Sequence, residues 1–438
     1  MERSAQRITK EKEIEMNMIK DQDLPQSFYD RWDFMGDESV KTLLNDVQQN
    51  GDRALRYYTQ KFDGVTLEQF RVPRDSLEKA LECLPSELRT SLEIAKHQIS
   101  LFAQHQMESL KAFEVALSTG VKVGQRLIPI QRVGIYAPGG RYPLPSSVMM
   151  GIIPAITAGV SEVVLCSPPG KNGELSEIIQ ATAALCGAWE VYAIGGAQAI
   201  AAMAYGTESI PAVDFIAGPG NRFVTEAKRL VFGRVGIDFI AGPSEVLIIA
   251  DDTANPKYVA ADLLAQAEHD PEASSILLSL SQALACEVEK EIKHQLSELS
   301  TSAIATQSMQ NRSWIVLCQN MESAIAIANQ KAPEHLELAI SNPQSVLSRL
   351  RNYGALFLGH HSAEALGDYI AGPNHTLPTN GVARYCGGLS VLNFIKIVTT
   401  LDINPEGISH LGPPAIQIAQ AEGLHAHARA IQLRLRHP

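Results

Sequence analysis

The chain has 438 residues, 45% hydrophobic and 19% charged, a balance that supports large buried cores and two or more packed units. Lys and Arg number 37 against 48 Asp and Glu, a net charge of −11 with no Lys/Arg run, which argues against nucleic acid or an anionic membrane as a partner. The six cysteines, Cys83, Cys166, Cys186, Cys286, Cys318 and Cys386, are scattered without a CxxC pair, the pattern of buried thiols in a reducing cytosol.

The opening stretch MERSAQRITKEKEIEMN is charged throughout and has no apolar core, so no signal peptide is expected. Residues before about 132 read as helices, most clearly 40–58 and 88–103. From there, β-branched runs at 132–136, 163–166, 191–194, 213–216, 246–250, 275–278, 314–317 and 355–358 alternate with helical patterns. Those patterns lie at 197–205, 222–231, 256–267, 283–299 and 323–330. Such alternation predicts parallel sheets covered by helices on both faces, with the loops after the strand C-termini along one functional edge. The most apolar stretch, 148–160, is broken by Gly151 and Pro154 and falls short of the roughly 20 residues that span a bilayer. The last fifty residues read as a separate helical tail, and a soluble cytoplasmic protein is expected.

Glycines concentrate in the loops of the α/β region: APGG (137–140), SPPG (167–170), IGGAQ (194–198), AGPGN (217–221) and AGPSE (241–245). The likeness of AGPGN to AGPSE suggests two related α/β units. Neither GxGxxG nor GxxxxGK[ST] occurs, although Gly-rich turns still bring backbone N–H groups close to an anionic ligand.

Four constellations carry reactive side chains. Gln266 and His269 are three apart at a helix end and project from one face, where an amide oxygen and an imidazole can share a metal. A histidine at the negative end of a helix dipole explains the same pair without a metal. Glu334 and His335 put a carboxylate beside an imidazole, and both reach one site only if the backbone turns there. The polar stretch 359–379 offers Asp368 as a hard oxygen ligand, with His360, His361 and His375 as competitors that spacing does not separate. In the tail, Glu422, His425 and His427 lie close together, on either a site or a solvated helix face.

Taken in order, RVGIYAPGGRYPLPSSV (132–148), GGAQAIAAMAYGT (195–207), AGPGNRFVTEAK (217–228), AGPSEVLIIAD (241–251), LLAQAEHD (263–270), APEHLEL (332–338), LGDYIAGPNHTLPT (366–379) and EGLHAHARAIQLR (422–434) resemble the histidinol dehydrogenase family. The resemblance covers about 37–435. It implies two Rossmann-like parallel-sheet domains with a helical N-terminal region and a C-terminal helical tail. The expected division is an N-terminal arm over 1–29, a first domain from 30–134 with 245–388, a nucleotide-binding domain over 135–244, and the tail over 389–438.

The resemblance further implies one zinc ion per subunit, on Gln266, His269, Asp368 and His427, and NAD against Tyr136, Gln198 and Asn221. Substrate would contact Ser244, Gln266, His269, His335, Asp368, Glu422 and His427. His335 would take the alcohol proton and Glu334 would activate water, in a two-step oxidation of L-histidinol to L-histidine through a bound aldehyde. It also implies a homodimer in which the tail, with Glu422 and His427, completes the other subunit's site. His360, His361, His375 and His425 fall outside the family's ligand positions, and Cys386 is left without a role. Two other readings remain: a paralogue that oxidises another small alcohol, and a zinc hydrolase that uses no nucleotide.

Overall fold

The computed structural model describes residues 16–31, 36–139 and 142–436. Most of the expected N-terminal arm, and Gly140 and Arg141 of the Gly-rich motif, lie outside the described residues. The chain opens with β1 (Asn17–Lys20), then α1 (Glu38–Asp63), α2 (Arg74–Glu82), α3 (Ser86–Glu108), and a ribbon of β2 (Phe113–Ser118) and β3 (Val121–Pro129). A first α/β unit follows: β4 (Arg132–Tyr136), α4 (Pro145–Thr157), β5 (Glu162–Ser167), α5 (Glu177–Cys186), β6 (Glu190–Ala193), α6 (Gly196–Tyr205), β7 (Phe215–Ala217), α7 (Arg222–Val231) and β8 (Gly236–Ile237). A second comprises β9 (Glu245–Ala250), α8 (Pro256–Ala267), β10 (Ser274–Ser279), α9 (Gln282–Leu296), α10 (Ser302–Asn311), β11 (Trp314–Leu317), α11 (Met321–Lys331), β12 (His335–Ala339), β13 (Ala355–Leu358) and α12 (Glu364–Tyr369). The tail is β14 (Ile395–Ile403), α13 (Pro405–Ala421) and α14 (His425–Arg436).

The two units share a topology. The first sheet runs β6-β5-β4-β7-β8 and the second β11-β10-β9-β12-β13, with β1 added outside β11. Every strand pair in both is parallel. Counted within each unit, that is strand order 3-2-1-4-5 twice, the doubly wound pattern. Strands β5, β9 and β10 are buried almost throughout because helices cover both faces of each sheet. Along β9, Val246, Ile248 and Ala250 enter one core while Leu247 and Ile249 enter the core on the opposite face.

The helices at 222–231 and 256–267 fall where the sequence places them, each started by an asparagine cap. The N-terminal helical region and C-terminal helices are present, with strands interleaved among them. Residues 17–20 extend as the edge strand β1 instead of helix, in register with β11. The ribbon β2–β3 and tail strand β14 form a separate antiparallel sheet in the order β14-β3-β2.

The polarity of the second unit departs from the single functional edge expected. In the first sheet, Tyr136 ends β4 and the AGPGN loop follows β7, both at the C-terminal edge. In the second, AGPSE leads into β9, and Glu334–His335 lead into β12, so the N-terminal edge faces the same cleft. The reason is the connection after β8, which crosses straight from the first sheet into the start of β9. Helix α8 then runs back against the strand direction and returns Gln266 to that same edge.

One buried ion pair fixes the AGPGN loop. Lys228 on α7 pairs with Asp238, their side chains 4% and 0% exposed. Between them they hold one residue at both backbone groups: Gly218 N–H donates to Asp238 at 2.8 Å, and Lys228 donates to Gly218 C=O at 2.9 Å. Gly218 has φ 122° and its missing Cβ would sit 2.0 Å from the Tyr136 carbonyl, so only glycine fits. Replacing Asp238 with Ala strands a buried ammonium and is expected to lower unfolding stability by about 3–5 kcal/mol. The double variant Lys228→Met/Asp238→Leu should recover most of that loss. Chemical denaturation of both variants measures it, and an unaltered midpoint for Asp238→Ala would refute the assignment.

Candidate active site

A cavity of 1810 Å³ lies between the two sheets, lined from the first unit by Tyr136, Gln198 and Asn221 and from the second by Ser244, Gln266, His269, Glu334, His335 and Asp368. The C-terminal ends of β4 and β7 meet it at one wall and the N-terminal ends of β9 and β12 at the other. Glu422 and His427 do not line it. Both are exposed on the tail, Glu422 capping α13 and His427 on α14.

The turn that lets Glu334 and His335 reach one site comes just before β12. Ala332 ends α11 in the left-handed conformation, with φ 55° and ψ 62°. Glu334 thus precedes the strand, while His335 is its first residue, on the face covered by α8. Both are anchored on the backbone of one residue. Glu245 N–H donates to Glu334 Oε2 at 2.9 Å, and His335 Nδ1 lies 3.1 Å from the Glu245 carbonyl oxygen. A carbonyl accepts only, so Nδ1 carries the proton and Nε2 is left as the basic nitrogen. Nε2 is buried and, among the described residues, has no hydrogen-bond partner.

Acidic groups crowd this imidazole. Glu364 Oε1 is 3.3 Å from Nδ1, Glu334 Oε2 is 3.7 Å from it, and Asp368 Oδ1 is 3.7 Å from Nε2. His335, Glu364 and Asp368 offer ligand atoms that all lie within 4.8 Å of one another. Burial alone would lower the His335 pKa, but Glu364, Glu334 and Asp368 outweigh it and hold the ring's affinity for a proton well above the ordinary histidine value. Burial pushes the carboxyls of Glu334 and Glu364 up to about 8. Asp368 moves the other way, since the neighbouring His335 outweighs its burial.

Gln266 is 1% exposed and, in the amide orientation that satisfies its neighbours, donates to both oxygens of Glu364 and accepts from Glu245 N–H at 3.1 Å. His269, one turn on, is exposed at the cavity rim. Of the competing histidines, His360 sits beside Thr253 at the far edge of the sheet and His361 is exposed. His375 lines the cavity, buried, its Nδ1 3.0 Å from the Asp368 carbonyl and its Nε2 3.3 Å from Ser147 Oγ. Asn221 spends its side-chain oxygen capping α7, accepting from Phe223 and Val224 N–H at 3.0 and 3.1 Å. Its amide nitrogen is the atom left for a ligand.

Sequence reasoning missed Glu364, although its spacing to Asp368 puts both carboxylates on one face of α12. It had no means of finding Glu245, whose part is played by backbone alone.

The sequence profile of the family described as histidinol dehydrogenase matches residues 33–435. The chain belongs to the histidinol dehydrogenase family. A histidinol dehydrogenase of Parasynechococcus marenigrum (strain WH8102) is 46% identical over 396 residues, 90% of each chain. One from Methanothermobacter thermautotrophicus is 46% identical over 397 residues, 91% of this chain and 93% of its own. The crystal structure of a histidinol dehydrogenase from Elizabethkingia anophelis superposes with a TM-score of 0.90 at 39% identity, covering 96% of this chain and 98% of that one. Membership in this oxidoreductase family agrees with the absence, among the described residues, of any helix long and apolar enough to cross a membrane.

The crowding of carboxylates makes one direct prediction. Glu364→Gln removes a negative charge 3.3 Å from His335 and should lower the pKa of that imidazole in an NMR titration of the metal-free protein. An unmoved His335 titration would show that the pair is not in contact.

Proposed function

We propose that this chain oxidises L-histidinol to L-histidine in two NAD-linked steps through a bound aldehyde, using zinc. The observation that carries the reading is the Glu334–His335 pair anchored on the Glu245 backbone, at the meeting of two doubly wound units. Relatives of about 45% identity bearing the histidinol dehydrogenase name supply the substrate.

The donor set suits a divalent cation. Asp368, His269 and the Gln266 amide oxygen are oxygen and nitrogen ligands of the kind zinc takes, beside an excess of buried carboxylate. The fourth ligand is the partner subunit's His427. Zinc held there supplies a positive template that orients the substrate's imidazole and amino nitrogens. The opposite wall, with Tyr136, Gln198 and the Asn221 amide, takes NAD, which accepts the hydrides.

This chain's own residues then divide the proton chemistry. His335, fixed through Nδ1, receives the alcohol proton at Nε2 in the first oxidation. Glu334, whose Oε2 is held by Glu245 N–H and whose pKa stands at about 8, removes a proton from the water that adds to the aldehyde. Each histidine formed consumes one water and two NAD. Enclosure between the two sheets keeps the aldehyde from leaving between the steps.

The homodimer is part of the proposal. Glu422 and His427 stand away from their own cavity, and the tail sheet and its helices expose Leu117, Leu401 and Ile418 at 67%, 67% and 62%. A second copy covers that apolar surface and receives the tail residues at its substrate site.

With L-histidinol and NAD, two reduced cofactors per histidine are expected, lost on chelation and restored by zinc. Glu334→Gln should cut histidine formation by about 10²–10⁴-fold while sparing the alcohol oxidation more. No NAD reduction by the zinc-loaded wild type would sink the reading. Mixing His427→Asn subunits with a Glu334/His335 double variant tests the shared site. Mixed dimers should regain activity that neither parent has, and a complete absence of rescue would mean that each subunit supplies its own tail residues.

A further inference from the structure

The nucleotide wall contains a residue that the site assignments above leave out. Asp63 is the last residue of α1 and lines the cavity beside Tyr136, Gly196 and Gln198. Two hydrogen bonds tie these four residues in pairs. Gly196 N–H donates to Tyr136 Oη at 3.1 Å, and Gln198 Nε2 donates to Asp63 Oδ2 at 3.3 Å. Gln198 is 1% exposed, and its Oε1 is buried without a partner among the described residues. That oxygen lies against Gly196, where a Cβ would come within 2.6 Å of it, and Gly196 has φ 66°.

A carboxylate only accepts, so it admits one orientation of the neighbouring amide: nitrogen towards Asp63, oxygen away. Burial raises the Asp63 carboxyl to about 6, which leaves it ionised at neutral pH. The outcome is a buried acceptor held in place with no donor among the described residues, an unmet hydrogen bond of the kind that a ligand or an ordered water completes. Pro138, Pro168, Ala197 and Pro219 line the same cavity and give a flat, apolar bed for an aromatic ring. A ring-borne carboxamide would bring its N–H to the margin of such a bed.

We propose that Asp63 is a positioning residue for the dinucleotide: it locks the Gln198 amide so that Oε1 accepts from the carboxamide N–H of the nicotinamide. The proposal rests on the NAD reading of this wall given above. A ribose hydroxyl is the other donor a dinucleotide could offer to Oε1, and the choice of cofactor in the test separates the two.

The test compares NAD with 3-acetylpyridine adenine dinucleotide, whose ring acetyl group has no N–H, in the full-length, zinc-loaded enzyme. Asp63→Asn replaces an acceptor-only carboxylate with an amide that also presents N–H, so the Gln198 amide is no longer confined to one orientation. KM for NAD should then rise about tenfold, the worth of one hydrogen bond, while KM for histidinol stays in place. KM for the acetyl analogue should change by less than about twofold, so the preference for NAD narrows about tenfold. Asp63→Ala, which leaves the amide without that acceptor, should narrow the preference in the same direction. A thermal midpoint equal to wild type confirms that each variant is folded. An unchanged KM for NAD in both variants overturns the proposal. So does an equal rise for both dinucleotides, which would assign the donor to the ribose. Wild type that reduces neither dinucleotide overturns the NAD reading itself, a result distinct from a cofactor preference that the variants leave untouched.

Discussion

The cleft depends on the backbone of a single residue, Glu245. Its N–H holds the Glu334 carboxylate and its C=O holds the His335 ring, so two successive peptide groups at the start of β9 set the direction of two proton-handling groups at the start of β12. Strand pairing keeps them in place, since His335 is in register with Val246, the next residue along β9. A side-chain anchor would add rotamer freedom, whereas a peptide inside a parallel ladder has almost none. The same anchoring fixes which imidazole nitrogen carries the proton, and with it the face from which the ring acts.

Around that backbone the structure gathers negative charge at an energetic cost. Glu334, Glu364 and Asp368 surround one imidazole, and Gln266 is packed against Glu364 with almost no exposure. Such an assembly loses hydration and gains little within itself, so it makes sense as a receptor for positive charge. The opposite wall differs in character, with small and cyclic residues, a tyrosine hydroxyl and an amide locked by Asp63. One wall attracts cations, the other accommodates a flat ring, and the substrate lies between.

Much of this was legible in the sequence. Buried strands such as β9 read as unbroken apolar runs, and α7 and α8 begin at asparagine caps. The strands that escaped notice are those that stay exposed or whose partners are remote. In β2, Phe113, Val115 and Leu117 alternate with polar residues yet remain exposed, so their periodicity carries no core signal. β14 pairs with β3, and that pairing is visible only once the chain has folded. In the site, Glu334, His335 and Asp368 were recognisable from residue type and from family resemblance. Glu364 needed the tertiary contact with His335 to stand out, and Glu422 and His427 had only the resemblance to support them. The polarity of the second sheet was hidden because strand order and strand direction do not reveal which edge a connecting segment will cross.

The place of β1 has a consequence for the order of assembly. Asn17 pairs with Trp314 and Lys20 with Leu317, so a strand made at the start of synthesis waits for a partner made near its end. Until then β1 has no strand to dock on, and unpaired strand edges invite pairing with other chains. Contacts so distant in sequence form slowly because the loop they close is long. The second sheet is therefore a late-maturing part of the molecule, complete only once β11, β12 and β13 have been made and β1 has docked.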